Sequence, residues 1–345
     1  MKNTNVIGVD LAKDVIQVCK IDKHGELLFN KAISPSKLKE LLAKSVPCII
    51  AMEACGACHY WARMAQRYGH DARVISPKKV KAFLQGHKTD ANDAIAIAIA
   101  SIQFGMNFSQ IKTVEQQSLQ TLETSRKFLG KELVALSNHI RAYLYEYGIT
   151  MKKGAKGLRE TMAIVLDGLD TRLPTCLKNT LRLLWDRYRL TSEQLKEAEK
   201  YKAHLVNQLE PCQRLMELEG VGKVCAPMLY TSIGDGREFK NGRQASVYIG
   251  VTPKQHSSGG KTYMKGIDKL GGNKELRAAL YQGALAVICT LPSEPRTVKQ
   301  AWLIELVKRA GVKRACIAMA NKTVRTAWAL LATGESYEPV LLSQS

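Results

Sequence analysis

Four carboxylates stand where a metal-dependent phosphoryl-transfer site would need them. Asp10 ends the apolar run Asn5-Val-Ile-Gly-Val-Asp10, and Glu53 ends a second, Pro47-Cys-Ile-Ile-Ala-Met-Glu53. Asp90 and Asp93 lie in Lys88-Thr-Asp-Ala-Asn-Asp-Ala94, which opens the Ala/Ile segment Ala94–Ala100. Carboxylate oxygens are hard ligands suited to Mg²⁺ or Mn²⁺, ions that combine few protein ligands with waters and phosphate oxygens. Two such ions about 4 Å apart can activate one oxygen and stabilise the leaving one in an in-line displacement. On this reading Asp10 is the bridging ligand and Glu53, Asp90 and Asp93 complete the two shells. Lys13, Lys79 and Lys88 are the candidate phosphate contacts. A single acidic residue at a strand end is ordinarily a solvated cap; four in this order are uncommon by chance.

A second constellation is Thr252-Pro-Lys-Gln-His-Ser-Ser-Gly-Gly-Lys-Thr262. Read as a polar loop, it offers the hydroxyl of Ser257 or Ser258 beside glycines whose lack of side chain lets a phosphodiester come close. Lys254, Lys261 and Lys265 can stabilise the developing charge. His256 has the chemistry of a general base, although a histidine in a polar loop is more often structural or exposed. A Ser-Ser-Gly-Gly loop is by itself a weak sign of a nucleophile.

The elements that must position these groups follow from patterning. Residues 5–10 and 15–21 read as paired strands, a third strand is expected around Glu26–Ile33, and Ser34–Lys44 reads as an amphipathic helix capped by Ser34. A buried strand then runs to Glu53. A helix through Tyr60–Tyr68, a strand at Ala72–Ser76 and a basic helix from Pro77 follow. Three strands and then helix–strand alternation is the order of an RNase H-like α/β domain, here residues 1–112. Asp90 and Asp93, three residues apart, share one helical face.

From Val114 to Tyr147, and again over Pro174–Leu209, leucines and other apolar residues recur at helical spacing. Gly148–Gly157 is the expected break between these helices. The stretch 113–210 therefore reads as a helical coiled-coil arm, with pairing between or within subunits both open. Residues 211–345 form a mainly helical C-terminal domain. Its Leu215–Tyr230 segment has the look of a helix-hairpin-helix unit, in which Gly220, Gly222 and Lys223 would approach a phosphate. A tight helical hairpin without a ligand explains the same pattern.

Charge narrows the partners. Lys+Arg of 51 against Asp+Glu of 31 gives +20, an excess suited to polyanions. Over Arg237–Ala327 there are 17 Lys/Arg and 5 Asp/Glu. Any one basic run reads as a solvated helix face, but their concentration beside the Gly/Ser loop favours a phosphate-tracking surface. The nine cysteines are scattered and odd in number, as reduced thiols are. Cys55-Gly-Ala-Cys58 has zinc-knuckle spacing without a second pair. No run approaches the ~18 apolar residues of a membrane span, and the first residues lead straight into a strand, so no signal peptide and a cytosolic location are expected.

With these residues assembled, the chain resembles the DEDD-type bacterial insertion-sequence transposases, which have a RuvC-like N-terminal domain and a serine-bearing C-terminal domain. The carrying motifs are Ile7-Gly-Val-Asp-Leu-Ala-Lys13, Ala51-Met-Glu-Ala-Cys-Gly56, Lys88-Thr-Asp-Ala-Asn-Asp93 and Leu218-Glu-Gly-Val-Gly222. Tyr248-Ile-Gly-Val-Thr-Pro253, His256-Ser-Ser-Gly-Gly260 and Lys269-Leu-Gly-Gly-Asn-Lys-Glu-Leu-Arg277 continue the match in the family's order. The resemblance implies an RNA-guided recombinase in the bacterial cytoplasm, associated with the nucleoid. A structured noncoding bridge RNA would pair with target and donor DNA, and strands would be exchanged through a covalent serine–DNA intermediate assisted by Mg²⁺. It implies homodimers assembling into a homotetramer with composite active sites. Asp10, Glu53, Asp90 and Asp93 take the quartet positions, and Ser257 or Ser258 the nucleophile position. Lys269 and Arg277 join the expected nucleic-acid contacts. Asp268 departs from the family's usual Ser/Thr. Two other readings are a metal-dependent Holliday-junction-type nuclease using the quartet and water alone, and a noncatalytic nucleic-acid-binding protein.

Overall fold

The apolar runs of the first hundred residues become the strands of one mixed sheet. In the computed structural model, which describes residues 5–167, 173–267 and 271–342, these are β1 (Val6–Asp10), β2 (Ile16–Ile21), β3 (Leu27–Ile33), β4 (Ile49–Glu53) and β5 (Asp71–Ile75). Their order is β3-β2-β1-β4-β5. β1 pairs antiparallel with β2 and parallel with β4, and β4 pairs parallel with β5. The short Leu11–Asp14 turn permits only the antiparallel neighbour, whereas α1 (Pro35–Lys44) and α2 (Cys58–Arg67) supply the crossovers that parallel pairing needs. The central strands are buried almost throughout, so β1 reads as a continuous apolar run rather than an alternating one.

Helix α4 (Asp90–Ser101) lies against this sheet and fixes where its own first turn goes. A Cβ on Gly8, in the middle of β1, would overlap the Ala94 carbonyl oxygen and stand 2.8 Å from the Ala98 Cβ. Backbone therefore meets backbone, and only Gly on the strand with Ala on the helix leaves room. Ala94, Ala96, Ile97, Ala98 and Ala100 are fully buried. The Thr89 hydroxyl caps the helix by accepting from the Asn92 N–H at 3.3 Å. Short α3 (Pro77–Val80) precedes it.

The chain divides into two compact units, Met1–Gln116 with Ser232–Lys240, and Gln117–Thr231 with Asn241–Ser345. In the second, α5 (Val114–Glu146) and α7 (Thr175–Gln208) run antiparallel, as their ion pairs show. Lys202 meets Glu123 at 2.6 Å, and Arg187 meets Glu132 at 2.6 Å. The pairing is thus within one chain. The expected break over Gly148–Gly157 is shorter than the sequence suggested, because α6 (Gly154–Leu166) begins inside it and buries Leu158, Met162 and Val165 against Ile140, Leu144 and Leu181. Arg141 ties that turn by donating to the carbonyls of Lys152 and Gly154.

Beyond α8 (Glu210–Met216) and α9 (Cys225–Ile233), α10 (Gly242–Ile249) packs on α13 (Val312–Thr333), and α11 (Lys274–Cys289) and α12 (Val298–Ala310) close a core on Leu303, Cys316 and Met319. The segment expected as a Ser/Gly loop is instead a two-stranded ribbon, β6 (Pro253–Ser258) and β7 (Lys261–Ile267). Gly259 and Gly260, at φ +53° and +73°, make the two-residue turn whose left-handed backbone suits a hairpin. Among the described residues no helix is long and apolar enough to cross a membrane.

Two outcomes follow. Gly8→Ala should lower unfolding stability by about 1–3 kcal/mol, the usual range for overpacking a tight core, read as a shift of the urea midpoint. For the second unit, burial pushes the Glu123 carboxyl up, but hydrogen bonds from Arg126 and Lys202 and their charges outweigh it and hold the group down at about 2, against 4.5 unperturbed. A depressed carboxylate stabilises above its unfolded value and loses that contribution as pH falls from about 4.5 through about 2. Urea midpoints recorded across that window should fall more steeply for the native chain than for Glu123→Gln, whose stability starts lower.

Candidate active site

Asp10 leaves the carboxyl end of β1, and α4 brings its first turn to the same place. One oxygen from each of Asp10, Asp90 and Asp93 can be drawn from within a 4.8 Å span. Glu53, at the end of the parallel neighbour β4, lies outside that span but senses it. Its carboxyl is raised by burial, then by the charges of Asp10 and Asp93. Asp10 is raised by burial, then by Asp93 and Asp90. Lys88 lowers both and so offsets part of the repulsion. The three aspartates therefore gather at one locus, and Glu53 stands at its margin, near enough for the charges of Asp10 and Asp93 to act on it.

The donor set fits a divalent cation: oxygen ligands only, mutual repulsion that a cation would relieve, and half-exposed groups that leave room for water and phosphate. Asp10, Asp90 and Asp93 would hold it, with Glu53 beside them at the end of β4. Cys55 and Cys58, at the start of α2, gather no third ligand among the described residues.

Residues that the motif reading did not single out help place the helix. The Gln17 side chain donates to Asn30 Oδ1 at 2.7 Å, and Asn30 Nδ2 donates to the Ala91 carbonyl at 2.9 Å. Gln17 stands directly across from Asp10 in the β1–β2 register. This string joins β2, β3 and the first turn of α4 beside the carboxylates. Gly8 has a legible signal, being a glycine inside a buried strand, while Gln17 and Asn30 have none.

The expected cationic contacts divide. Lys13 and Lys88 are exposed in the first unit, and Lys88 is the one that acts on the carboxylates. Lys79 instead donates to the Asn107 carbonyl at 3.0 Å, and its burial lowers the ammonium. In the second unit Lys223, Lys254, Lys261 and Lys265 are exposed. Arg277 corrects the sequence reading. It is buried, and its guanidinium donates to the carbonyls of Gly271 and Ile249, where it holds the end of α10 rather than a phosphate. Gly220, at φ +79°, is explained by packing, since a Cβ there would stand 2.8 Å from the Gly283 carbonyl oxygen on α11. Gly222 faces open space. Lys269 and Asp268 lie outside the described residues.

Both serines stand on the exposed end of β6, next to the turn. Ser257 pairs with Thr262, Ser258 with Lys261, and His256 with Tyr263. Because faces alternate along a strand, Ser258 shares its face with His256, Lys261 and Tyr263, and Ser257 shares the other with Gln255, Thr262 and Met264.

Comparison with known proteins now places the chain. A family described as Transposase IS116/IS110/IS902 matches residues 212–299, and a DEDD transposase family matches residues 7–149. The transposase for insertion sequence element IS1111A of Coxiella burnetii is 38% identical over 98% of this chain and 92% of its own. The chain belongs to this transposase family. A probable family 20 transposase of Pseudomonas aeruginosa is 35% identical over 98% of this chain and 99% of its own. The transposase for element IS1328 of Yersinia enterocolitica is 34% identical over 97% and 98%.

The electrostatics make a test of the metal centre that does not depend on catalysis. Mg²⁺ at millimolar concentration should raise the melting temperature of the native chain, by linkage of binding to folding. Asp10→Asn, which removes one repelling and partly desolvated charge, should melt at or above the native chain without metal and show little or no further rise with it. An equal rise in both, followed by circular dichroism, would remove Asp10 from the ion's ligands.

Proposed function

We propose that this transposase cleaves and rejoins DNA strands of an insertion sequence through a covalent serine–DNA intermediate. A structured noncoding guide RNA directs it, and Mg²⁺ at Asp10, Glu53, Asp90 and Asp93 assists. The observation that carries the reading is the convergence of Asp10, Asp90 and Asp93 from a mixed five-stranded sheet and its packed helix, in a chain of a transposase family. The exposed Ser257/Ser258 hairpin supports the covalent step. In this organisation 1–112 is catalytic, 113–210 is a coiled-coil arm paired within the chain, and 211–345 carries the serine, in homodimers that assemble into a homotetramer.

The step balances as a transesterification. The serine oxygen forms a bond to phosphorus as its proton leaves, the bond from phosphorus to one sugar oxygen breaks, and that oxygen departs as a hydroxyl. Another strand's hydroxyl reverses the step on the serine phosphodiester, so no bond energy is lost and no cofactor is consumed. Bound divalent metal would supply charge neutralisation at the phosphoryl oxygens. The chain's own part is to orient the hydroxyl on a two-stranded ribbon, present Lys254, Lys261 and Lys265 to developing negative charge, and accept the proton. Ser258, which shares His256's face, is the better placed of the two hydroxyls.

The deciding experiment traps the enzyme on labelled element-end DNA with its guide RNA and Mg²⁺, then separates products under denaturing conditions. A protein–DNA adduct is expected from the native chain, and none from the Ser257→Ala/Ser258→Ala double variant. Asp10→Asn should lower adduct formation by several orders of magnitude. Strand cleavage at full rate in the double variant, with no adduct, would mean that water is the nucleophile and the carboxylates act alone as a nuclease.

A further inference from the structure

A groove of about 1600 Å³ opens in the second unit between α10, the base of the serine hairpin, α12 and α13. That is beyond the roughly 300–1,000 Å³ of small-molecule pockets, and suits a stretch of polymer. Arg243, Lys265, Lys313, Arg314, Lys322 and Arg325 line it, all exposed, and no carboxylate among the described residues does. The occupant is therefore anionic. Arg314, Ile317, Asn321, Arg325 and Trp328 recur at three- and four-residue spacing, so one face of α13 supplies cations and apolar surface together.

Two of the chain's four tryptophans, Trp302 and Trp328, are half-buried in this wall. The Lys322 ammonium sits 4.9 Å from the centre of the Trp302 ring, which joins a π surface to a cation that can pass to a phosphate. A duplex would offer such a groove its phosphates only, because its base faces are already stacked. Unpaired bases can use both parts, with phosphates on cations and rings on indoles. The groove is also continuous with the hairpin. Pro253 of β6 and Met264–Ile267 of β7 form one side of it, and the same ribbon carries Ser257 and Ser258.

We infer that this groove holds a single-stranded stretch of DNA continuous with the strand acted on at the serine hairpin, its phosphates on the six cations and its bases on Trp302 and Trp328. The inference rests on the proposed role of the hairpin for the identity of the strand, while the binding itself needs no chemistry.

The test measures fluorescence anisotropy of a short labelled oligodeoxythymidylate with the full chain, beside an abasic oligomer of equal length, a duplex and the matching oligoribonucleotide. The native chain should favour the oligodeoxythymidylate over the abasic strand about five- to a hundredfold, the usual effect of base–aromatic stacking. That preference should vanish in Trp302→Leu combined with Trp328→Leu, and survive in Trp302→Phe, which keeps a ring and controls for folding. Lys313→Glu with Arg314→Glu should weaken both strands alike and flatten the salt dependence. Equal binding of abasic and normal strands, or tighter binding of duplex or RNA, would overturn the proposal. The Ser257→Ala/Ser258→Ala chain should bind as the native chain does. Base-dependent binding without any native adduct would leave the groove standing and remove the serine mechanism.

Discussion

The contact between Gly8 and the backbone of α4 is the constraint from which the geometry of the carboxylate cluster follows. Asp10 is two residues along the strand from that contact, and Asp90 and Asp93 lie in the first turn of the helix that makes it. A side chain at position 8 would lift the helix off the strand, since the opposing atoms include a main-chain carbonyl that cannot rotate away. The alanines of α4 are the other half of the fit. A helix with leucines there would bury more apolar surface but hold the carboxylates farther from the sheet. Close packing of small residues is thus exchanged for proximity of charged ones, and the Gln17–Asn30–Ala91 hydrogen-bond string fixes the rotation of the helix end.

How much of this was legible in the sequence depends on whether the cause of each feature is local. The quartet was visible because strand ends and helix caps leave local marks: an apolar run stopping at Asp10 or Glu53, a Thr89 cap before Asp90. The roles of Gln17 and Asn30 were not visible, because the Ala91 carbonyl that Asn30 meets lies 61 residues away. Arg277 reads as a phosphate ligand in a basic stretch, and only folding shows it buried beneath Gly271. The serine hairpin was missed as a pair of strands although Gly259-Gly260 is a hairpin signal. Every residue of β6 is exposed, so the alternation that betrays a half-buried strand is absent.

That exposure separates two kinds of site within one chain. The carboxylates stand on a buried sheet and a helix packed hard against it, where small displacements are costly and ligand spacing is preserved. The serines stand on a ribbon whose outer part has no apolar face of its own, held at its base where Ile267 pairs with Pro253. On the proposed mechanism, a nucleophile that must meet a substrate strand, release it and accept another benefits from such a support, whereas an ion site does not. The alternation of faces adds a constraint, for Ser257 and Ser258 cannot both address the same phosphodiester from one position of the ribbon.

The carboxylate locus is by itself hostile to the substrate the family acts on. Three carboxylates with oxygens inside 4.8 Å repel a phosphodiester, and Lys88 offsets them only in part. The carboxyls of Asp10 and Glu53 are raised first by burial and then by this same repulsion. Elsewhere the chain carries an excess of positive charge, +20 in all, so nucleic acid is drawn to the protein generally while this one spot resists it. A divalent cation held by these carboxylates would reverse the sign of the spot without altering the rest. On the proposed mechanism, affinity for the polymer and competence for chemistry are therefore set by different groups, and a change to the carboxylates should alter the second while leaving the first largely intact.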